Sequence, residues 1–504
     1  MTNDPAAEAL FEVQEVGPPE RVSPPVGAAR TFRPYDQHQS FLLPPSLDDW
    51  LPEEHTARFI SDVVDTMVDL SVIYSSYVTT DGAPPYDPKM MLKLVLYGYS
   101  IGVTSSREME RRCCVDVAFR WLSANAAPDY RSISRFRRRH LVALDDLFIQ
   151  VLRLCAESGL VSLGRVALDG TKLRASASRH KAMSYERMGP RIEELQAQVA
   201  AILAEAEAID RAEDEEFGED KRGDELPEEL RTREGRLAKL RAAKEAIEAE
   251  AKEKAAAKAA AKAAADGKDD QAIAEAAHDA AAAARPKPSA QRSFTDPDSR
   301  MMKTTDGFHY AYNAQAVVDE ASQVILVAEV VQAATDIDQL FEMIGATEAN
   351  LEDADIDDSP KVILADAGYC SEDNLTKAAD SGIDVLIATG RITHNERVPD
   401  VPRGPIPKNA TQRERMARRM RTKAGRAHYA RRKAIVEPAF GQMKVRQGAG
   451  FLRLRGLAGA QGEWTLHVIC HNLRKLANVH GESLRALRGP SAVRLGLSPA
   501  IIRP

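Results

Sequence analysis

Arg165-Val166-Ala167-Leu168-Asp169-Gly170-Thr171-Lys172 is an apolar run that stops at an aspartate and a glycine. Its texture is that of a short buried strand with a carboxylate and a turn signal at its carboxyl end. Lys361-Val362-Ile363-Leu364-Ala365-Asp366-Ala367-Gly368 repeats the pattern. In open α/β sheets ligands bind outside the carboxyl ends of the strands, where a side chain is accessible while its backbone stays rigid. Asp169 and Asp366 are therefore the first candidates for chemistry.

Working outward, strand texture returns at 308–318 and 323–331, joined by a turn at 319–322, which predicts an antiparallel hairpin. A helix over 336–351, a strand over 361–365, a helix over 371–381 and a strand over 384–389 follow. The order is that of an α/β sheet with a large helical insertion after its first strand. The insertion, 191–290, is rich in Ala, Glu and Lys, all strong helix formers, with Gly218, Gly223 and Pro227 marking its turn. Its alanine-rich half offers little apolar area and is expected to be only partly ordered. Upstream, 31–160 reads as a compact all-helical domain. Apolar residues are spaced by three and four over 56–70 and 88–101, a third helix covers 105–122, and a serine-capped basic helix over 132–140 leads into an apolar one over 141–160. The sheet domain takes 161–190 and 291–480. Residues 1–30 read as a disordered tail and 481–504 as a C-terminal one. A Pro-rich basic loop over 398–408 leads into one long basic helix over 411–447.

The 504 residues carry 68 Lys+Arg against 75 Asp+Glu, a net charge of −7 that conceals segregation. Residues 191–290 hold 17 basic and 25 acidic residues, enough to account for the whole excess. Residues 391–480 hold 20 basic against 5 acidic, and 101–140 hold 9 against 4. Such basic density suits a polyanion, whose phosphates it neutralises with release of counterions. No apolar run reaches the roughly 18–20 residues of a membrane span, and no export signal opens the chain, so a soluble cytoplasmic protein is expected. Cys113, Cys114, Cys155, Cys370 and Cys470 lack metal-site spacing and are odd in number, arguing against a disulfide framework or cysteine zinc site.

A third carboxylate, Glu437, is the only acidic residue between Arg415 and Gly462. Three carboxylates converging on a sheet edge suit Mg²⁺, which prefers carboxylate oxygens, water and substrate phosphate. His467 and His471 are four apart, but no glutamate follows His467, so the zinc-protease pattern fails. No phosphate-binding loop of the ATPase type is present, so ATP use is not indicated. Asp296 and Asp298 read as turn residues.

Leu168-Asp169-Gly170-Thr171-Lys172, Phe294-Thr295-Asp296-Pro297-Asp298-Ser299, Tyr312-Asn313-Ala314-Gln315, Leu364-Ala365-Asp366-Ala367-Gly368-Tyr369 and Val436-Glu437-Pro438-Ala439-Phe440-Gly441-Gln442-Met443-Lys444 occur in this order. Together they resemble bacterial insertion-sequence DDE transposases, the IS1182-like group of the IS4/IS5-type superfamily, over about 32–480. The resemblance implies an RNase H-like catalytic domain and cut-and-paste transposition with Mg²⁺, or Mn²⁺. Asp169, Asp366 and Glu437 match the metal-holding catalytic triad. The family's Tyr-(2)-Arg-(3)-Glu-(6)-Lys pattern lays over Tyr429, Arg432, Glu437 and Lys444, with four residues rather than three between Arg432 and Glu437. These residues, Lys172, and the helical domain's Arg135, Arg137, Arg138 and Arg139 are the expected DNA contacts, the arginines reading the terminal inverted repeats. Double-stranded DNA, at the nucleoid, and a second copy of the chain in the synaptic complex are the implied partners. Three alternatives remain at this point: a catalytically inactive or domesticated DNA-binding relative, a metal-dependent nuclease without strand transfer, and a scaffold built around the helical insertion.

Overall fold

The computed structural model describes residues 46–77, 84–177, 182–217, 228–390 and 404–486. The expected tail 1–30, the turn at Gly218, Gly223 and Pro227, most of the loop 398–408 and the end of the C-terminal tail lie outside the described residues.

The helical region comprises α1 (Leu47–Trp50), α2 (Thr56–Thr66), α3 (Ser71–Ser75), α4 (Pro88–Ser100), α5 (Ser106–Val115), α6 (Val117–Leu122), α7 (Tyr130–Arg139) and α8 (Leu141–Glu157). Capping side chains set several boundaries. Asp87 accepts from the Lys89 and Met90 amides, with Pro88 in the first turn of α4, where a missing N–H costs nothing. The helix expected over 105–122 is two, because Asp116 is extended and its carboxylate takes the Ala118 and Phe119 amides. The basic helix α7 is capped by Asp129 rather than by a serine and starts earlier than expected.

The chain then runs through β1 (Arg165–Arg174) and β2 (Ala182–Ser184) into α9 (Tyr185–Phe217), α10 (Glu228–Ala265) and α11 (Asp270–Ala283). It returns through β3 (Gln291–Ser293), β4 (Arg300–Thr304), β5 (Gly307–Asp319) and β6 (Ile325–Val331). Next come α12 (Leu340–Asp353), β7 (Val362–Ala365), α13 (Glu372–Asp380), β8 (Val385–Ile387), α14 (Gln412–Arg421), α15 (Lys423–Arg446) and α16 (Leu457–Ala486). The basic helix expected over 411–447 is thus α14 and α15, divided at Thr422, whose extended backbone lets its hydroxyl accept the Gly425 amide.

The main sheet is mixed, in the order β4-β5-β1-β7-β8, with β6 also paired to β5. β5 runs antiparallel to β1, β4 and β6, whereas β7 is parallel to both β1 and β8. β4 is absent from the sequence reading, since Arg300-Met301-Met302-Lys303-Thr304 shows no alternation. β2 and β3 form a separate two-stranded ribbon at the root of the insertion.

From Leu47 onward the described residues form one compact unit. One apolar core runs from α2 and α4 through α8 and the sheet to Trp464, Leu466, Val468, Ile469 and Leu473 of α16. A small separate core of Met188, Leu195, Leu237, Leu240, Ala243 and Ile247 holds the insertion's base. The alanine-rich segment is helical, with α11 packed along the distal part of α10.

The β5–β6 turn fixes the helix above the sheet. Pro438 lies inside α15, and a proline deprives the carbonyl four residues earlier of its helical donor. Gln323 Nε2 donates to that carbonyl, Ala434 O, at 3.0 Å. Lys475 Nζ donates to Gln323 Oε1 at 2.8 Å, so one side chain links α15 to α16.

Candidate active site

Asp169 lies on β1, and its neighbours Leu168 and Ala365 are directly paired in the parallel ladder with β7. The strand expected to stop at Asp169 and Gly170 runs on to Arg174, held in the ladder with β5, so the continued register puts Asp169, in the middle of β1, beside Asp366, just past the end of β7. Asp366 caps the short 3₁₀ turn Ala367–Tyr369, its Oδ1 accepting the Gly368 amide at 2.7 Å. The pairing is visible electrostatically. Burial raises the Asp169 carboxyl above its usual range, Arg432 opposes the rise and the Asp366 charge reinforces it.

Side chains alternate across a strand, so Asp169 and Thr171 share one face of β1. α15 covers that face. Arg432 NH1 donates to Asp169 Oδ2 at 2.9 Å, and Lys444 Nζ donates to the Thr171 hydroxyl. Arg432 is 8% exposed; burial works most strongly against its charge, but Asp169, Tyr429 and Asp366 together hold the guanidinium above its usual range. Tyr429 is half-buried with Arg432 5.9 Å from its ring centre, and burial raises its phenol. Burial pulls the Lys444 ammonium below its usual range, with Asp169 and Asp306 resisting.

Glu437 is on α15 one face with Lys444, but its side chain is solvent-exposed. It makes no hydrogen bond or ion pair with the described residues. The structure therefore brings Asp169 and Asp366 together, with Arg432, Tyr429 and Lys444 beside them, while Glu437, on the covering helix α15, is exposed and makes no hydrogen bond to the pair. Among the described residues no three of His, Cys, Asp or Glu are grouped to hold a metal ion. The donor chemistry of the aspartate pair, hard oxygens side by side on adjoining strands, nevertheless suits a hard divalent cation.

The expected DNA-contacting residues divide. Arg135, Arg138 and Arg139 are exposed on α7, Arg139 with its guanidinium 4.3 Å from the Tyr77 ring centre. Arg137 is 4% exposed, which corrects its expected surface position. It shares a helical face with buried Ile133 and Phe136, and donates to Tyr99 Oη at 2.6 Å, Thr104 O at 2.9 Å and Ser106 Oγ at 2.5 Å. Lys172 points to the face of β1 opposite Asp169 and is paired with Asp336 at 3.2 Å.

Sequence reasoning missed Asp336, which reads there only as the start of a helix. Its signal was Gly170, a glycine inside a strand, which marks close approach by another group. A Cβ there would come within 2.8 Å of Asp336 Oδ1. Asp296 and Asp298 are structural, as read. Asp296 Oδ1 accepts from Tyr312 Oη at 2.7 Å and the Gly456 amide at 3.1 Å, and Asp298 Oδ2 accepts the Leu457 amide, anchoring the start of α16.

A cavity elsewhere is lined by Asp65, Asp69, Asp145, Glu157 and Glu329, with Arg153 among them, a poor surface for DNA. Among the described residues no helix is long and apolar enough to cross a membrane.

Two aspartates side by side on adjoining strands, beneath a basic helix, make the candidate site. Residues 45–139 match a family described as a transposase domain (DUF772), and residues 277–473 match the transposase DDE domain. The chain is a DDE-type transposase, and the joint presence of these two domains agrees with the IS1182-like resemblance. The DDE match includes Asp366 and Glu437; Asp169 precedes it, on the far side of α9–α11. No curated protein and no solved structure is detectably similar to the chain. The family implies DNA as a partner and use of a divalent metal ion.

Proposed function

We propose that this transposase binds the terminal inverted repeats of an insertion sequence, cleaves at its ends and joins them to target DNA in Mg²⁺-dependent reactions. The observation that carries the reading is the adjacency of Asp169 and Asp366 under Arg432 and Lys444. The strand order β6-β5-β1-β7-β8, with three antiparallel strands followed by two parallel ones, supports an RNase H-like catalytic domain. In this reading 31–160 binds DNA, while 161–190 and 291–480 carry the chemistry.

Asp169 and Asp366 would hold the divalent ion, with Glu437 as third carboxylate from α15. When bound, the ion would supply activation of the attacking oxygen and charge neutralisation at the phosphodiester. The chain's own residues do the rest. Arg432 and Lys444, on one rigid helix, hold fixed positive charge beside the carboxylates, where negative charge grows on the phosphoryl oxygens. The half-buried setting strengthens that interaction. In cleavage, water displaces the 3′ oxygen from phosphorus and leaves a 3′-OH and a 5′-phosphate; in joining, that 3′-OH displaces a 3′ oxygen of the target, exchanging one phosphodiester bond for another, so positioning dominates and ATP is not required. Exposed Arg135, Arg138 and Arg139 on α7 contact the inverted repeat, and two copies of the chain hold two ends in synapsis.

The test is binding and footprinting on the gene's flanking DNA. Protection of a terminal inverted repeat, lost in Arg135→Ala/Arg138→Ala, is the expected result. Equal affinity for flank and unrelated DNA would contradict sequence-specific end recognition.

A further inference from the structure

Asp336 follows β6 and opens the 3₁₀ turn Ile337–Gln339. Three donors converge on its Oδ1: Asn313 Nδ2 at 2.7 Å, Gln315 Nε2 at 2.8 Å and Lys172 Nζ at 3.2 Å. All three come from the face of the sheet opposite Asp169, since Gly170 pairs with Gln315 and Lys172 with Asn313 across the β1–β5 ladder. Asn313 and Gln315 are fully buried. A Cβ on Gly170 would lie 2.5 Å from Gln315 Nε2, so only glycine leaves room for this cluster.

The cluster reaches the active site through the turn that carries Asp366. Tyr369, in that turn, is fully buried and donates its hydroxyl to Gln315 Oε1. Asn374 Nδ2 donates to Ile337 O at 2.6 Å and to Tyr369 O at 2.9 Å, joining the Asp336 turn to the Asp366 turn. A Cβ on Gly368 would lie 2.9 Å from Asp366 Oδ1 and 3.3 Å from Asp336 Oδ2, so the two carboxylates flank one backbone point.

We propose that Asp336 is a positioning residue for the transposase reaction. Its Oδ1 orients Gln315, Gln315 fixes Tyr369, and Tyr369 sets the turn that aims Asp366 beside Asp169. This rests on the reading of Asp169 and Asp366 given above. Asparagine at 336 keeps an acceptor for the two amides and loses the charge, whereas alanine loses both.

The test is single-turnover cleavage of flanking-end DNA at saturating DNA and Mg²⁺, with DNA affinity measured alongside. Asp336→Ala should slow cleavage by about 10–100-fold, the range for supporting groups behind an active site, with DNA affinity unchanged. Asp336→Asn should recover most of the rate. Asp336→Ala/Tyr369→Phe should be no slower than Asp336→Ala, because the two act in one chain. A wild-type rate in Asp336→Ala, or Asp336→Asn as slow as Asp336→Ala, would overturn the proposal. Should Asp336→Ala fail to fold, Tyr369→Phe, which removes only the hydroxyl, decides it: slower cleavage at unchanged affinity supports positioning, and a wild-type rate refutes it. Asp366→Ala separates the two claims. If it abolishes cleavage while Asp336→Ala is normal, only the role of Asp336 falls; if it cleaves normally, the carboxylate reading falls and this inference with it.

Discussion

Arg137 and Arg432 differ from the exposed arginines around them, because each is buried with its guanidinium committed to a partner. Arg137 meets Tyr99, whose hydroxyl donates to buried Glu463 at 2.9 Å, so a charged network ties α4 and α7 to α16. Breaking such a network leaves a buried charge uncompensated, so Arg137→Met should cost about 3–5 kcal/mol in urea unfolding. Its folded fraction should bind DNA normally. Arg135→Ala and Arg138→Ala should do the reverse: unchanged unfolding midpoints, weaker DNA binding, and a salt-dependence slope lowered by about one per residue. Histidine burial predicts acid sensitivity. Burial lowers His467 to about 3 and His471 to about 4. Below the unfolded value of about 6.5 the unfolded chain binds protons that the folded chain refuses, so stability present above that pH is lost as the pH falls toward those values. His467→Leu should therefore flatten the fall in melting temperature between pH 6.5 and 4.5, and an unchanged slope would refute this. Asp169 and Asp366 stood out because a carboxylate closing an apolar run is a local pattern, although β1 continues past Asp169 to Arg174, since its partner β5 and not its own apolar run sets its length. Glu437 stood out as the lone acidic residue of a basic helix and through the family motif. Arg137's inward turn was written in its spacing from Ile133 and Phe136 but masked by its charge, and Asp336 depends on contacts made across the sheet.

Elements were legible where periodicity or apolar runs were strong. The hairpin read at 308–318 and 323–331 is β5 and β6, and the strand read at 361–365 is β7. The breaks at Asp116 and Thr422 escaped because a capping residue inside a helix-forming run looks like an ordinary polar residue until its extended backbone is seen. β4 escaped because its partner, rather than its own pattern, makes it a strand. Gln323 gives the element scale its own test. It has φ of 60° and supports the carbonyl freed by Pro438. Gln323→Ala should destabilise the protein by about 1–3 kcal/mol, the cost of leaving a helix carbonyl and the Lys475 ammonium without their partner. The same variant should slow cleavage by loosening α15 over Asp169. Unaltered stability would show that α15 is held without this contact.

At the scale of the whole molecule, the insertion has its own small core, while the helical region and main sheet share the large one. Replacing residues 185–290 by a short linker should therefore leave the unfolding transition of the remaining body cooperative. Loss of the folded state would show that the insertion is integral to it. The net charge misleads for the same architectural reason, since the acidic excess lies in the insertion and the basic residues line α7, α14 and α15. The central claim is that Asp169 and Asp366 carry metal-dependent cleavage and joining, with Glu437 as their third partner. It is tested most directly by incubating the protein with the gene's flanking DNA and Mg²⁺ and following both cut and joined products. Wild type should produce both, while Asp169→Ala, Asp366→Ala and Glu437→Ala bind the DNA and produce neither. Cutting by the Asp169→Ala or Asp366→Ala variant, or binding without cutting by wild type under Mg²⁺ and Mn²⁺, would contradict it.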